Sequence, residues 1–296
     1  MPVNWIPRNR IDEAKWNACT ASCPQTDSVC ARLWYLDGCG EQWDALVEDD
    51  YRAVMPLFWR KKFGIRYIYP PFFTGQIGIL GIPAAGITEW LDAIPKHFLR
   101  REIIFNALND KPEKGRIIRH RTCLLPLQPD YGTLRAGYSP NHIRNLKKAE
   151  QSGLQISHEA DFETVIKWFR QQRAGQRQIG YKERDYQRLI RLLELLQEHQ
   201  ALEIWKVTDA EQNECAAAFF AFSNHRHTFL FSGRTAGSER NRAMFFLMDR
   251  FIQSHAGTSA LLDFNGSNNP AVARFYTGFG AQFQDFYQIN RGIAVF

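Results

Sequence analysis

The sequence has 296 residues, 45% hydrophobic and 23% charged, with 22 Phe, 10 Tyr and 8 Trp. A chain of this length suits two ordinary domains, and so much apolar and aromatic material excludes extended disorder. Net charge is +6, with 21 Lys+Arg against 16 Asp+Glu up to residue 150 and 16 against 15 beyond it, so the basic surplus is N-terminal. Such a surplus fits a phosphate-bearing or tRNA-like ligand, and a solvated surface equally well.

No stretch supplies the roughly 20 apolar residues that a membrane-spanning helix needs. The weakly polar run Ile77 to Ile87 is broken by Gly78, Gly81, Pro83 and Gly86. The opening residues lack the charged-then-apolar layout of a signal peptide, so the expected location is the cytoplasm. Cys19, Cys23, Cys30 and Cys39 are separated by three, six and eight residues rather than in CxxC knuckles, and are expected as free thiols. His225 and His227 share a strand face but lack an evident third ligand, so no metal is expected.

In chain order, Tyr51 to Trp59 and Gly64 to Tyr69 carry the β-branched and aromatic residues of strands, joined by the basic turn Arg60-Lys61-Lys62-Phe63. Ile87 to Leu99 reads as a helix, and Glu102 to Leu108 and Arg116 to Leu127 as extended, with a turn at Asn109-Asp110-Lys111-Pro112. Ser139 and Pro140 predict the start of a helix that carries Arg144, Lys147 and Lys148 and exits at Gly153. A domain boundary is expected here, giving domains 1–138 and 139–296.

Beyond it, Asp161 to Gln172 and Arg184 to Gln200 show apolar stripes at helical spacing. Strands are predicted at Ala201 to Val207, Cys215 to Ser223 and His227 to Phe231. Arg240 to His255 is apolar nearly all round and should be a buried helix. A short strand Leu261 to Phe264, a helix Pro270 to Phe279 capped by Asn269, and a strand Phe283 to Asn290 complete a mixed α/β pattern. No Walker A, GxSxG, HExxH or dinucleotide fingerprint occurs.

That element order resembles a GNAT acetyltransferase domain. Asn269, Tyr276 and Gly280 stand at the family's spacings within NNPAVARFYTGFGA. The resemblance implies that Tyr276 protonates the leaving group, a sensible task for a phenol whose pKa lies near that of a thiol. A place for Tyr276 in a core stripe with Val272, Phe275 and Phe279 is the alternative. The phosphate loop departs from the family's Arg/Gln-x-x-Gly-x-Gly/Ala. Its nearest match is Arg240-Asn241-Arg242-Ala243-Met244-Phe245, where Phe245 sets a ring at a small-residue position.

Three separated segments resemble FemAB-like proteins, the tandem GNAT-fold group around the Fem-type peptidoglycan-bridge aminoacyltransferases. They are Ala53 to Gly78, Ser139 to Ile156 and Leu261 to Ala281. This likeness implies two tandem GNAT domains and transfer of an acyl or aminoacyl group to an amine, such as that of a peptidoglycan precursor. The donor would be aminoacyl-tRNA or acyl-CoA as a co-substrate, with no tightly bound cofactor and with tRNA as a partner. An acyl-CoA-dependent N-acetyltransferase and a non-catalytic binding protein with a decayed site are the alternatives. Donor-binding candidates are Arg234, Arg240, Arg242, Ala243 and Asn269. Lys61 and Arg66 are acceptor-binding candidates, set in the cleft expected between domains. Asp263 is a candidate general base, or else a cap for the loop Asn265-Gly266-Ser267.

Overall fold

The computed structural model describes residues 2–40, 42–173, 182–266 and 268–292. In chain order its elements are β1 (Val3–Pro7), α1 (Glu13–Ala21), α2 (Leu33–Cys39), β2 (Trp43–Glu48), β3 (Ala53–Lys62), β4 (Ile65–Ile68), β5 (Leu80–Gly81), α3 (Ile87–Asp92), β6 (Phe98–Ile104) and β7 (Arg116–Pro126). There follow α4 (Tyr131–Ala136), α5 (Pro140–Glu150), β8 (Gln155–Ser157), α6 (Phe162–Arg173), α7 (Glu183–Glu198), β9 (Leu202–Thr208), β10 (Glu214–Phe222), β11 (Arg226–Arg234), α8 (Ala243–His255), β12 (Leu261–Asp263), α9 (Pro270–Thr277) and β13 (Gln282–Gly292). Two compact units emerge, residues 1–122 with 284–296, and residues 123–283. No described helix is long and apolar enough to cross a membrane.

In the first unit the strand order is β1-β2-β3-β4-β6-β13, with β5 on β3. The pairs are antiparallel except β4 with β6. Trp90, Phe105, Leu46, Met55 and Ile289 are fully buried in its core. The buried Glu48 carboxylate accepts the N–H groups of Ala84 and Ala85, which fixes the loop ahead of α3. Helix α3 stops at Asp92, seven residues short of the expected Leu99, because Pro95 disfavours the helical conformation in the residue before it. The chain then enters β6 earlier than expected. All six cysteines are free thiols; five are buried, and burial pushes the Cys19 thiol up to about 11.

In the second unit the end of β7 pairs with β12, and the order continues β11-β10-β9-β8. Strand β12 runs parallel to β11, and the remaining pairs are antiparallel. The period-two alternation of β10 divides its rings between two faces. Phe219 meets Phe162 of α6 at 5.5 Å, whereas Phe220 stacks on Phe251 of α8 at 3.8 Å. Gly233 lets α6 approach β11, since a Cβ there would sit 2.5 Å from the Val165 carbonyl oxygen. Helix α8 buries Phe246, Leu247, Met248, Phe251 and Ile252, each worth about 1.5–3 kcal/mol of transfer free energy. It starts at Ala243 rather than Arg240, because Arg242 takes a left-handed φ of 61°.

Helices α5 and α9 are joined by His142. Its Nε2–H donates to the Phe275 carbonyl at 2.8 Å, which leaves Nδ1 to accept the Ser139 hydroxyl at 2.9 Å. Burial lowers the pKa of this ring below its ordinary 6.5, so the folded state holds it neutral. A depressed imidazole contributes stability above its unfolded pKa, and that contribution is lost as pH falls below 6.5 through the folded value. His142→Gln should therefore shrink the difference in melting temperature between neutral and mildly acidic buffer. An unchanged difference would remove His142 from the acid response. Gly278 abuts the same ring, and a Cβ there would fall inside its van der Waals shell. Gly278→Ala should cost about 1–3 kcal/mol in a denaturant melt, partly recovered by adding His142→Ala.

Candidate functional site

Strand β12 delivers Asp263 to the edge of the loop that leads into α9. Asp263 is 4% exposed, its Oδ1 accepts the Asn265 N–H at 2.9 Å, and Oδ2 pairs with Arg226 at 3.0 Å. Asn265 has φ 49°, a left-handed conformation that the local carboxylate bond supports. The carboxylate is thus held by loop and cation together; Ser267, the third residue of the expected loop, lies outside the described residues. Arg226 had no signal in the sequence, because its nearness to Asp263 comes from the parallel β11–β12 register.

Helix α9 begins as its sequence predicts. The Asn269 side-chain oxygen accepts the N–H groups of Ala271 and Val272, and Pro270 occupies the first turn. That oxygen is committed to capping. Tyr276 is 8% exposed, with its ring stacked on Phe264 at 4.4 Å and set edge-on to Phe229 at 6.0 Å. Phe264 follows Asp263 directly, so Tyr276 and Asp263 share one corner of the unit.

The loop from β11 to α8 holds the donor-binding candidates. Arg234 pairs with Glu239 at 3.0 Å, and Arg240 is exposed. Arg242 donates from its guanidinium to the Glu239 carbonyl, while its buried Nε has no hydrogen-bond partner. Ala243 is fully buried at the head of α8. Its N–H donates to Asn241 Oδ1 at 3.2 Å, and the N–H groups of Phe245 and Phe246 reach the Arg242 carbonyl at 2.9 and 3.2 Å. The Phe245 ring turns toward His142 at 4.9 Å and Phe275 at 5.0 Å. The small-residue position is therefore filled by a ring that packs between helices, and the Ala243, Phe245 and Phe246 amides are bonded from within. Asn241 was missed, although an Asn two residues ahead of a helix is a recognisable capping signal.

Lys61 and Arg66 are exposed register partners across the β3–β4 hairpin, with the Arg66 guanidinium 5.3 Å from the Trp59 ring centroid. They belong to the first unit, and the other seven candidates to the second. At the far end of α8, Glu203, His227 and His255 form a separate cluster in which no two ligand atoms are more than 4.8 Å apart. His225, expected on one strand face with His227, is exposed, precedes β11 and lies outside this cluster.

Residues 137–274 match the family model of the acetyltransferase (GNAT) domain. Among solved structures, FemX is similar with a TM-score of 0.64 and 12% identity, covering 95% of this chain and 96% of its own. A conserved protein of unknown function from Bacteroides thetaiotaomicron gives 0.62 and 9%, covering 95% and 98%. The C-terminal domain of a putative lysylphosphatidylglycerol synthetase from Agrobacterium fabrum gives 0.54 and 11%, covering 94% and 92%. No curated protein matches the sequence. The chain has a GNAT fold, with the family match lying in residues 137–274. Over nearly its whole length its fold is similar to that of FemX.

The Asp263–Arg226 pair generates a direct test. Their side chains are 6% and 17% exposed, so Arg226→Met should destabilise the unit by about 3 kcal/mol in urea melts, the scale of a broken buried pair. A loss under about 0.5 kcal/mol would mean that the cation does not hold the loop.

Proposed function

We propose that this protein transfers an aminoacyl group from a charged tRNA to an amine, with a cell-wall precursor as the acceptor class. The observation that carries this reading is the occupation of two first-turn amides of α8, Ala243 by Asn241 Oδ1 and Phe245 by the Arg242 carbonyl. A pyrophosphate needs several such N–H groups to converge on it. Each charge-assisted bond of this kind is worth about 1.5–3 kcal/mol, so loss of two weakens coenzyme A binding by more than about a hundredfold. A tRNA relies instead on a broad basic surface. The exposed Arg144, Lys147 and Lys148 on α5 offer one. Likeness to FemX and to a putative lysylphosphatidylglycerol synthetase supports the same direction.

In the proposed reaction the neutral acceptor amine attacks the ester carbonyl. The C–N bond forms, the C–O bond to the tRNA ribose breaks, and the leaving oxygen takes a proton from the Tyr276 hydroxyl. The extra proton on the amine passes to solvent, from which the Tyr276 phenolate regains its own, so the step closes with no net proton change. Asp263, tied to Arg226 and Asn265, is assigned to holding the loop beside Tyr276 rather than to proton abstraction. Lys61 and Arg66 are assigned to an anionic acceptor. The second reading, acetyl-CoA-dependent N-acetylation, is favoured by Asn269, Tyr276 and Gly280 standing at acetyltransferase spacing.

Calorimetry with acetyl-CoA and a transfer assay with labelled aminoacyl-tRNA and a peptidoglycan precursor separate the readings. We expect acetyl-CoA to bind more weakly than about 100 μM and label to appear on the precursor. Tyr276→Phe keeps the ring stack and should lower kcat by about a hundredfold or more. Micromolar acetyl-CoA affinity with acetyl transfer would move the donor to coenzyme A. An absence of transfer from either donor would leave a binding protein.

A further inference from the structure

Three side chains remote from the phosphate loop converge at the other end of α8. Glu203 lies on β9 and His227 on β11, the two strands flanking β10. In the β10 register Glu203 stands opposite Phe220 and His227 opposite Phe222, two residues apart on one strand and so on one face. That face is covered by α8, whose last residue is His255. The 13 residues from Ala243 to His255 span about 18 Å at a rise of 1.5 Å per step, which separates this cluster from the proposed transfer site.

Orientation within the cluster is well defined. His255 Nδ1 lies 2.9 Å from the Phe251 carbonyl, which can only accept, so Nδ1 carries the proton and Nε2 is turned inward. Nε2 is 3.1 Å from Glu203 Oε1. His227 Nδ1 is 3.3 Å from the same oxygen and is buried without a hydrogen-bond partner. The other Glu203 oxygen accepts the Trp205 indole N–H at 3.1 Å.

We propose that Glu203, His227 and His255 bind one divalent transition-metal ion of the zinc class. Zinc–ligand bonds of 2.0–2.1 Å at tetrahedral angles put neighbouring donor atoms about 3.3 Å apart. The two contacts to Glu203 Oε1 have that length, and all three donor atoms stand within 4.8 Å of one another. The surrounding contacts are those that a metal site uses: a ligating imidazole donates its second N–H to a carbonyl, and a ligating carboxylate is hydrogen-bonded on its free oxygen. Two imidazoles and one carboxylate suit zinc, with a fourth position left for water. The side chains keep 26%, 10% and 16% exposure, so water reaches the site. The ion would staple β9 and β11 to the C-terminal end of α8. A bare hydrogen-bonded trio is the rival arrangement.

The full-length protein, stripped with a chelator and titrated with Co(II), decides between them. We expect one equivalent to bind with the visible bands of a four- or five-coordinate nitrogen–oxygen site and without thiolate charge transfer. Zinc should displace it and raise the melting temperature. Glu203→Gln and His255→Phe should abolish both the bands and the zinc-dependent rise. Trp205→Phe, which keeps all three ligands, should weaken binding by about 10–100-fold. Metal-free melts and circular dichroism of each variant identify any that fails to fold, and Trp205→Phe then provides the decisive comparison. A six-coordinate spectrum only, thiolate charge transfer as the sole signal, or unchanged binding in folded variants would overturn the proposal.

Discussion

The contact on which the second unit depends is the stack of Phe251 on Phe220, ring centroids 3.8 Å apart at 12°. It lays the apolar helix α8 across the central strands, and Trp205, Phe229 and Leu247 close around it. A helix buried this thoroughly can meet polar chemistry only at its ends. At one end lies the arginine-bearing loop, at the other the Glu203–His227–His255 cluster. The aromatic contacts of Phe245 with Phe275 and His142 then set α9 and α5 against the first turn. Tyr276 and the basic helix owe their positions to that apolar framework.

Much of the second unit was legible because its signals are local. Ser139 ahead of Pro140, Asn269 ahead of Pro270, and the unbroken apolar face of α8 each declare an element through neighbouring residues. The start of α8 was placed three residues early, since nothing local says that Arg242 adopts a left-handed φ. The first 50 residues were harder. Helix α1 buries Trp16, Cys19 and Thr20 at helical spacing, but one Trp, a thiol and a hydroxyl make a weak stripe.

Contacts made by strand register were invisible for a different reason. Arg226 reaches Asp263 across 37 residues, and Glu203 lies 52 residues from His255. Their proximity is a property of the sheet, and no spacing rule encodes it. The Phe245 ring shows the converse limit. Its position in the loop motif suggested a steric block, yet its neighbours in space are helices, and it is Asn241 that occupies the nearest amide.

The first unit is discontinuous, since residues 284–292 return to it after the whole of the second unit has been made. Those residues bring β13 to the edge of β6 and place Ile289, fully buried, in the first unit's core. During synthesis at about 5–20 residues per second, the second unit is available as one continuous stretch and can mature alone. Throughout that interval the first unit waits with one edge of β6 unpaired and a hole where Ile289 belongs. An open strand edge invites pairing with other chains. The order of translation thus makes the earlier-made half the later to mature, and the half that a chaperone would have most reason to shield.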